Sequence, residues 1–237
     1  MIIKVLRYTK EGGEREAFIE YDVQLENPTL LQALAFIKTK IDPTLSFSSG
    51  CASSICGSCS MRVNEVEKLA CSYKVKDGDK ITALKNMSRI RDLVVNMEES
   101  HSKNIKAKAY SEIFTSLQIS QADAKINELQ SDCILCGSCY SACPVFDTNS
   151  EFMGPFSLTR VFRYIFDPRE NSGTKKIQNI QSHGVWDCTL CGECTLVCPM
   201  GISSKDDISA LRSKSNIAGF MDPNFSAGAL DFGAPTF

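Results

Sequence analysis

The sequence predicts an α+β chain of two unequal parts: a β-rich unit with one helix over residues 1–98, then an all-α unit over 99–218. Three observations carry this. Ala17, Ile19, Tyr21 and Val23 alternate with Phe18, Glu20 and Asp22, the period-2 pattern of a half-buried strand. Leu30, Leu31, Leu34, Ile37 and Ile41 recur at helical spacing behind Pro28-Thr29. After residue 100, strand signals become scarce while apolar residues keep returning at helical steps.

In chain order, residues 2–8 form the first strand, and Glu11-Gly12-Gly13-Glu14 turns it into the strand over 17–23. The helix behind Pro28 follows, then a cysteine-bearing loop. Lys76-Asp77-Gly78-Asp79 turns the chain into a last strand, Lys80–Leu84. Two strands, a helix, a loop and a returning strand are the order of a β-grasp. The charge run around Lys103–Lys108 separates this unit from the helical one. There Ile105, Ala109, Ile113 and Leu117 predict one helix, and Ala122–Leu129, Leu158–Phe166 and Ile208–Arg212 predict others. Residues 219–237 form a Gly/Ala/Phe/Pro-rich tail whose Phe220, Phe225, Phe232 and Phe237 are expected to pack against a partner.

Composition narrows the function. The chain has 237 residues, 43% apolar and 23% charged, which is ordinary globular material. A net charge of −2 offers no basic excess for phosphates, so nucleic acid is not an expected partner. No apolar run approaches the roughly 18–20 residues of a membrane helix, and Met1-Ile2-Ile3-Lys4-Val5-Leu6-Arg7-Tyr8 does not read as a signal peptide. A chain made in a reducing compartment has little use for disulfides, so its twelve cysteines point to metal.

Those cysteines fall in three groups of four. Cys51, Cys56, Cys59 and Cys71 read C-x4-C-x2-C-x11-C, the plant-type spacing of a 2Fe–2S centre. Cys133, Cys136, Cys139 and Cys143 read C-x2-C-x2-C-x3-C and are followed by Pro144; Cys188, Cys191, Cys194 and Cys198 repeat this before Pro199. The repeat extends to Leu135-Cys136-Gly137 against Leu190-Cys191-Gly192. Structural zinc pairs two C-x2-C knuckles across a longer loop, whereas this run wraps a cubane and lends its fourth cysteine to the neighbouring cluster. The expected ligand sets are therefore Cys133, Cys136, Cys139 and Cys198 for one 4Fe–4S cluster, and Cys143, Cys188, Cys191 and Cys194 for the other.

A plant-type centre followed by two cubane motifs resembles the iron–sulfur subunit of succinate dehydrogenases and fumarate reductases. Cys56-Gly57-Ser58-Cys59-Ser60-Met61 and Leu69-Ala70-Cys71 are similar to the family's first cluster loop, and Ile90-Arg91-Asp92-Leu93-Val94-Val95 to its bridge between domains. Asp132-Cys133-Ile134-Leu135-Cys136 resembles its second cluster loop. Gly154-Pro155, Leu158 and the stretch Arg163-Tyr164-Ile165-Phe166-Asp167-Pro168-Arg169-Glu170 are similar to its Gly-Pro helix. The resemblance implies a plant-type ferredoxin domain joined to a helical ferredoxin domain. It also implies electron relay between a FAD-containing dicarboxylate subunit and a membrane-associated quinone-reactive subunit.

Departures from the family pattern sharpen this. Most members lack a cysteine where Cys191 stands and carry a 3Fe–4S centre there; with Cys191 a ligand the third centre is 4Fe–4S, and with Cys191 a spectator it is 3Fe–4S. Thr189, Val145-Phe146 and Met200 replace the family's histidine, tryptophan and lysine positions near the quinone. A non-classical branch, whose third subunit is cysteine-rich and resembles part of heterodisulfide reductase, shares the four-cysteine third group. Gly50 and Ala52 replace the arginine commonly found beside the first cysteine. The resemblance places the chain peripheral to the cell membrane, at its cytoplasmic face or exported with a partner that carries a signal. Two alternatives are a subunit of a thiol-linked fumarate reductase and a free-standing ferredoxin-like carrier.

Other residues weigh less. No G-x-G-x-x-G or Walker sequence occurs, so dicarboxylate chemistry belongs to another chain and no catalytic residue is expected here. His101 and His183 read as surface or structural residues, and Trp186 as packing beside a cluster. Arg160 and Arg163 face a cluster, a partner or solvent.

Overall fold

Residues 1–11, 13–112 and 115–223 are described in a computed structural model. Strand β1 (Ile2–Thr9) pairs antiparallel with β2 (Arg15–Asp22) from Ile2↔Asp22 to Thr9↔Arg15. The pattern of β1 buries Ile3, Val5 and Tyr8. In β2 only Tyr21 is buried, with Val23 just beyond its end; Phe18 and Ile19 stay exposed because β2 is a sheet edge. Helix α1 (Leu30–Phe36) begins at a Thr29–Gln32 capping box and buries Leu30, Ala33 and Leu34. It runs on as a wider turn over Ile37–Ile41.

Two further strands, β3 (Ser60–Val63) and β4 (Val66–Leu69), form a hairpin within the stretch expected as a cysteine-bearing loop. The last sheet strand, β5 (Lys80–Thr82), lies parallel to β1 and antiparallel to β3, giving the order β2-β1-β5-β3-β4. Ile3, Val5, Leu30, Leu34, Met61 and Ile81 form the centre of this unit's core. A small hairpin of β6 (Arg89–Arg91) and β7 (Val94–Val95) follows.

The helical unit comprises α2 (Met97–Lys106), α3 (Gln121–Ser131), α4 (Ser138–Ser141), α5 (Pro155–Ile165), α6 (Gly173–Asn179), α7 (Glu193–Leu196) and α8 (Ser204–Ile217). Among the described residues no strand follows Val95. Phe152, Leu158, Val161, Ile180, Ile208 and Leu211 are its core.

The helix expected through Ile105, Ala109 and Leu117 is not formed. Helix α2 stops at Lys106, Ile105 is exposed, and Lys108 turns to a φ of 52°. The buried Lys176 ammonium takes the carbonyls of Lys108, at 3.0 Å, and Tyr110, which a helix would have used itself. Ile113 lies outside the described residues. The charge run at 103–108 starts within α2, where Lys103 is buried and donates to Ser150 O at 2.6 Å. Of the tail, Phe220 packs against the second core, while Phe225, Phe232 and Phe237 lie outside the described residues.

Candidate metal centres

The first group is shaped by a backbone that bends toward its sulfurs. Ala52, Ser54 and Gly57 all take positive φ, at 55°, 60° and 72°, turning successive N–H groups inward as in an anion nest. Cys51 Sγ accepts from the N–H groups of Ser53, Ile55 and Cys56 at 3.3–3.4 Å, and Cys56 Sγ from Cys51 N–H. Cys71 Sγ accepts from Ser54 N–H at 3.3 Å. The β3–β4 hairpin delivers the other two cysteines: Ser60 faces Leu69, and Ala70 N–H bonds Cys59 O at 3.0 Å, so the flanking Cys59 and Cys71 emerge together.

These surroundings sort the thiols. The Ser58 hydroxyl, with the N–H groups of Cys51 and Ser58, lowers Cys56 to about 6. Burial pushes Cys59 up to about 11. Burial also works to raise Cys71, but the Ser54 hydroxyl, the Cys59 thiol and the Ser54 N–H bring it below the usual thiol range. Glycine is required on both sides: a Cβ at Gly50 would stand 2.9 Å from Cys56 Sγ, and one at Gly57 2.8 Å from Cys136 Cβ.

The second group surrounds a cavity lined by Cys133, Cys136, Cys139 and Cys198, with Phe156 and Thr159 in its wall. Three of these thiols come from one run and the fourth from the distant repeat. Burial raises Cys133 and Cys136, and raises Cys139 furthest, with the other thiols of the set adding to it. In the third group, burial pushes Cys143 up to about 12, and the charges that add to this are those of Cys194, Cys188 and Cys191. Cys194 rises to about 11 for the same reason, with Cys188 and Cys191 acting on it. Cys198 thus lines the cavity of the second group, and the charges acting on Cys143 come from thiols of the third.

The repeat is one of backbone as well as sequence. Leu135 and Gly137 take φ of 53° and 78°; Leu190 and Gly192 take 55° and 90°. Each glycine opens a one-turn helix, α4 or α7, and Cys136 and Cys191 occupy the same place between their left-handed neighbours. Cys191 is exposed, whereas Cys136 is covered by the first unit.

Polar contacts also join the first unit to the second group. Ser60 Oγ and Ser138 Oγ are 2.8 Å apart and buried. Ser141 Oγ donates to the buried Glu67 carboxylate at 2.7 Å. Asn86 Nδ2 lies 3.0–3.2 Å from the carbonyls of Tyr140, Ser141 and Cys143, closing the end of α4. Asn86 was not singled out in the sequence, nor was Arg212. The Arg212 guanidinium donates to the carbonyls of Val185 at 2.8 Å, Trp186 at 3.3 Å and Cys188, bracing the approach to the third group.

The remaining candidates find ordinary places. Trp186 is buried and donates to Gln181 Oε1 at 2.7 Å. His183 is exposed, while His101, also exposed, lines the cleft between the first and second cysteine loops. Arg160 lies near enough to Cys133 to favour its thiolate, and Arg163 acts on Asp167.

Among the described residues no three His, Cys, Asp or Glu side chains close on one point as ligands of a single ion do. The thiols of the second group instead line one cavity, and those of the first meet inward N–H groups, as the ligands of a polynuclear cluster do. The residues fit iron–sulfur groups in all three places.

Comparison with known proteins agrees. A family model described as "2Fe-2S iron-sulfur cluster binding domain" matches residues 2–102, and one described as "4Fe-4S dicluster domain" matches residues 129–202. The chain is 39% identical over 209 residues to the fumarate reductase iron-sulfur subunit of Escherichia coli O6:H1, covering 83% of this chain and 85% of that one. It is 30% identical over 230 residues to the mitochondrial succinate dehydrogenase [ubiquinone] iron-sulfur subunit of Dictyostelium discoideum, covering 88% and 80%. Its fold matches a chain of the Mycobacterium smegmatis Sdh1 complex with a TM-score of 0.80 at 22% identity, over 91% of this chain and 95% of that one.

Proposed function

The chain belongs to the family of fumarate reductase and succinate dehydrogenase iron–sulfur subunits, and we propose that its twelve cysteines hold three centres in series. It is the electron-transfer subunit of an oxidoreductase complex. Cys51, Cys56, Cys59 and Cys71 hold 2Fe–2S; Cys133, Cys136, Cys139 and Cys198 hold 4Fe–4S; Cys143, Cys188, Cys191 and Cys194 hold a second 4Fe–4S. Bound in such sites, the clusters accept and return single electrons with little change of shape. The chain's own residues supply thiolate ligands, aim N–H groups at sulfur, exclude water around Cys139 and Cys143, and keep the first and second groups in contact through Gly57 and Cys136.

A FAD-containing dicarboxylate subunit docks at the first group, where Cys51, Ile55 and Cys56 are exposed. A membrane-associated subunit docks at the third, where Cys191 and Leu196 are exposed. Among the described residues no helix is long and apolar enough to cross a membrane, so attachment at the cytoplasmic face comes through that partner. Thr189, Val145-Phe146 and Met200, together with Cys191, favour a cysteine-rich, heterodisulfide-reductase-like partner.

The observation that carries the cluster assignment is the matched backbone around Cys136 and Cys191, which gives both the same position in a cubane loop. Electron paramagnetic resonance tests it. The oxidised protein is expected to lack a three-iron signal, and the reduced protein to show two four-iron signals. Cys191→Ser is expected to lower iron content and create the three-iron signal. A three-iron signal in the untreated wild type would overturn the role given to Cys191.

A further inference from the structure

Behind the wall of the second cysteine cavity lies a carboxylate that electron relay has not yet used. Asp207, in the first turn of α8, is 4% exposed. Gln130 Nε2 donates to its Oδ1 at 2.8 Å, while its Oδ2 has no partner among the described residues. The acceptor Oε1 of Gln130 is also buried without a partner, as is Asn127 Oδ1 one turn earlier on α3. These atoms are acceptors, and a proton on Asp207 would add a donor where donors are lacking.

Two connections lead from Asp207 to the cysteines. Thr159, which acts on the carboxylate, lines the cavity with Cys133, Cys136, Cys139 and Cys198. Gln130, which holds Oδ1, accepts Cys133 N–H at its carbonyl, 3.4 Å away. Neither path makes Asp207 itself a neighbour of sulfur.

We propose that Asp207 is a proton site coupled to the electron site at Cys133, Cys136, Cys139 and Cys198. One electron from a one-electron donor enters that site as one proton from solvent enters Asp207 Oδ2, and both depart on reoxidation. The inference rests on the ligand set proposed above. Burial pushes the Asp207 carboxyl up to about 6, opposed by Gln130 and Thr159. Among the described residues, the charged group acting on it is Asp206 of its own helix; α3 presents Gln130 and Asn127, and α5 presents Thr159, all neutral. A negative charge arriving across Thr159 favours the protonated form further.

The test is a redox titration of the complete complex with chemical mediators, followed by electron paramagnetic resonance from pH 5.5 to 8.5. Above about pH 6 the second centre's potential should fall with rising pH, by up to about 59 mV for each tenfold drop in proton concentration. In Asp207→Asn it should stay at the wild type's acid-side value throughout, with the other two centres unaffected. In the wild type alone, infrared difference spectra at pH 7.5 should gain a deuterium-sensitive protonated-carboxyl band on reduction. A flat wild-type potential, or an unchanged slope in Asp207→Asn, overturns the proposal. Cys198→Ser separates the two readings. If it leaves the titrating signal intact, the ligand set is wrong and the coupling built on it falls. If it removes that signal while the wild type shows no slope, only the proton site is wrong.

Discussion

Gly57 lies so close to Cys136 that a methyl group on the glycine would stand 2.8 Å from Cys136 Cβ and 2.9 Å from its Cα. The contact joins the first cysteine loop to the second. Gly57→Ala should therefore do more harm than its φ of 72° alone implies. Gly78, at φ 81° with nothing within 4 Å of an added Cβ, provides the control. Gly78→Ala should cost about 1–2 kcal/mol of stability, and Gly57→Ala clearly more. Denaturant melts measure the difference, and equal losses would show that the seam yields freely.

Asn86 binds three carbonyls at the end of α4 from a left-handed backbone, φ 64°. Asn86→Gly keeps that conformation accessible while removing the amide. We expect a loss of about 1–3 kcal/mol and faster iron release from the second and third groups. Time-resolved chelator assays can follow this, and iron release at the wild-type rate would count against a clamp at α4.

Arg212 places a positive charge beside Cys188 while holding three carbonyls. Replacing it with Gln removes the charge that favours the more negative, reduced state of a centre held there. The third centre's potential should shift downward in a mediated redox titration. An upward shift would contradict the placement.

Two carboxylates should respond to pH in opposite senses. The Thr44 hydroxyl foremost, then Tyr21, Thr44 N–H and Arg7, holds Asp42 well below the usual carboxylate range despite some burial. Its stabilisation is complete above about pH 4, near the unfolded value, and fades as pH falls. Asp207, raised by burial to about 6, behaves in reverse: its contribution is complete below about pH 4 and is lost as pH rises through 6. Urea midpoints should therefore show Asp42→Asn weaker than wild type at pH 7, Asp207→Asn stronger, and both converging on wild type in acid.

Cysteine spacing carries the proposed ligand sets because ligand step and cluster geometry are tied together over a few residues. The proposed crossing of Cys143 and Cys198 rests on the same run, with Cys198 lining the second cavity beside it. Strand β1, helix α1 and helix α5 were legible because each carries a full apolar period. The β3–β4 hairpin was hidden: it turns on Asn64 and Glu65, both at positive φ without a glycine, and its residues sit between two ligands. Asn86, Arg212 and Asp207 were illegible for another reason. Each acts on groups at least 24 residues away in sequence, and Asp207 within Lys205-Asp206-Asp207 looks like an ordinary solvated helix start. The periodicity through Ile105 and Leu117 misled because Lys176, arriving from α6, captures carbonyls that a local pattern cannot register.

In the ligand arrangement proposed above, the exchange of Cys143 and Cys198 between the two runs would also act as a staple. With both centres filled, residues 144–187 are fastened at each end to the same metal, so the unfolded chain loses the freedom of a long loop. Closing a loop of that length is worth about 4 kcal/mol on chain-entropy grounds. The short helices α4 and α7, one turn each, need such fastening, since neither could persist alone. Iron held in this way would be scaffolding as well as wire: a chain that lost either centre would surrender order across the segment between them, and with it the shape of the other.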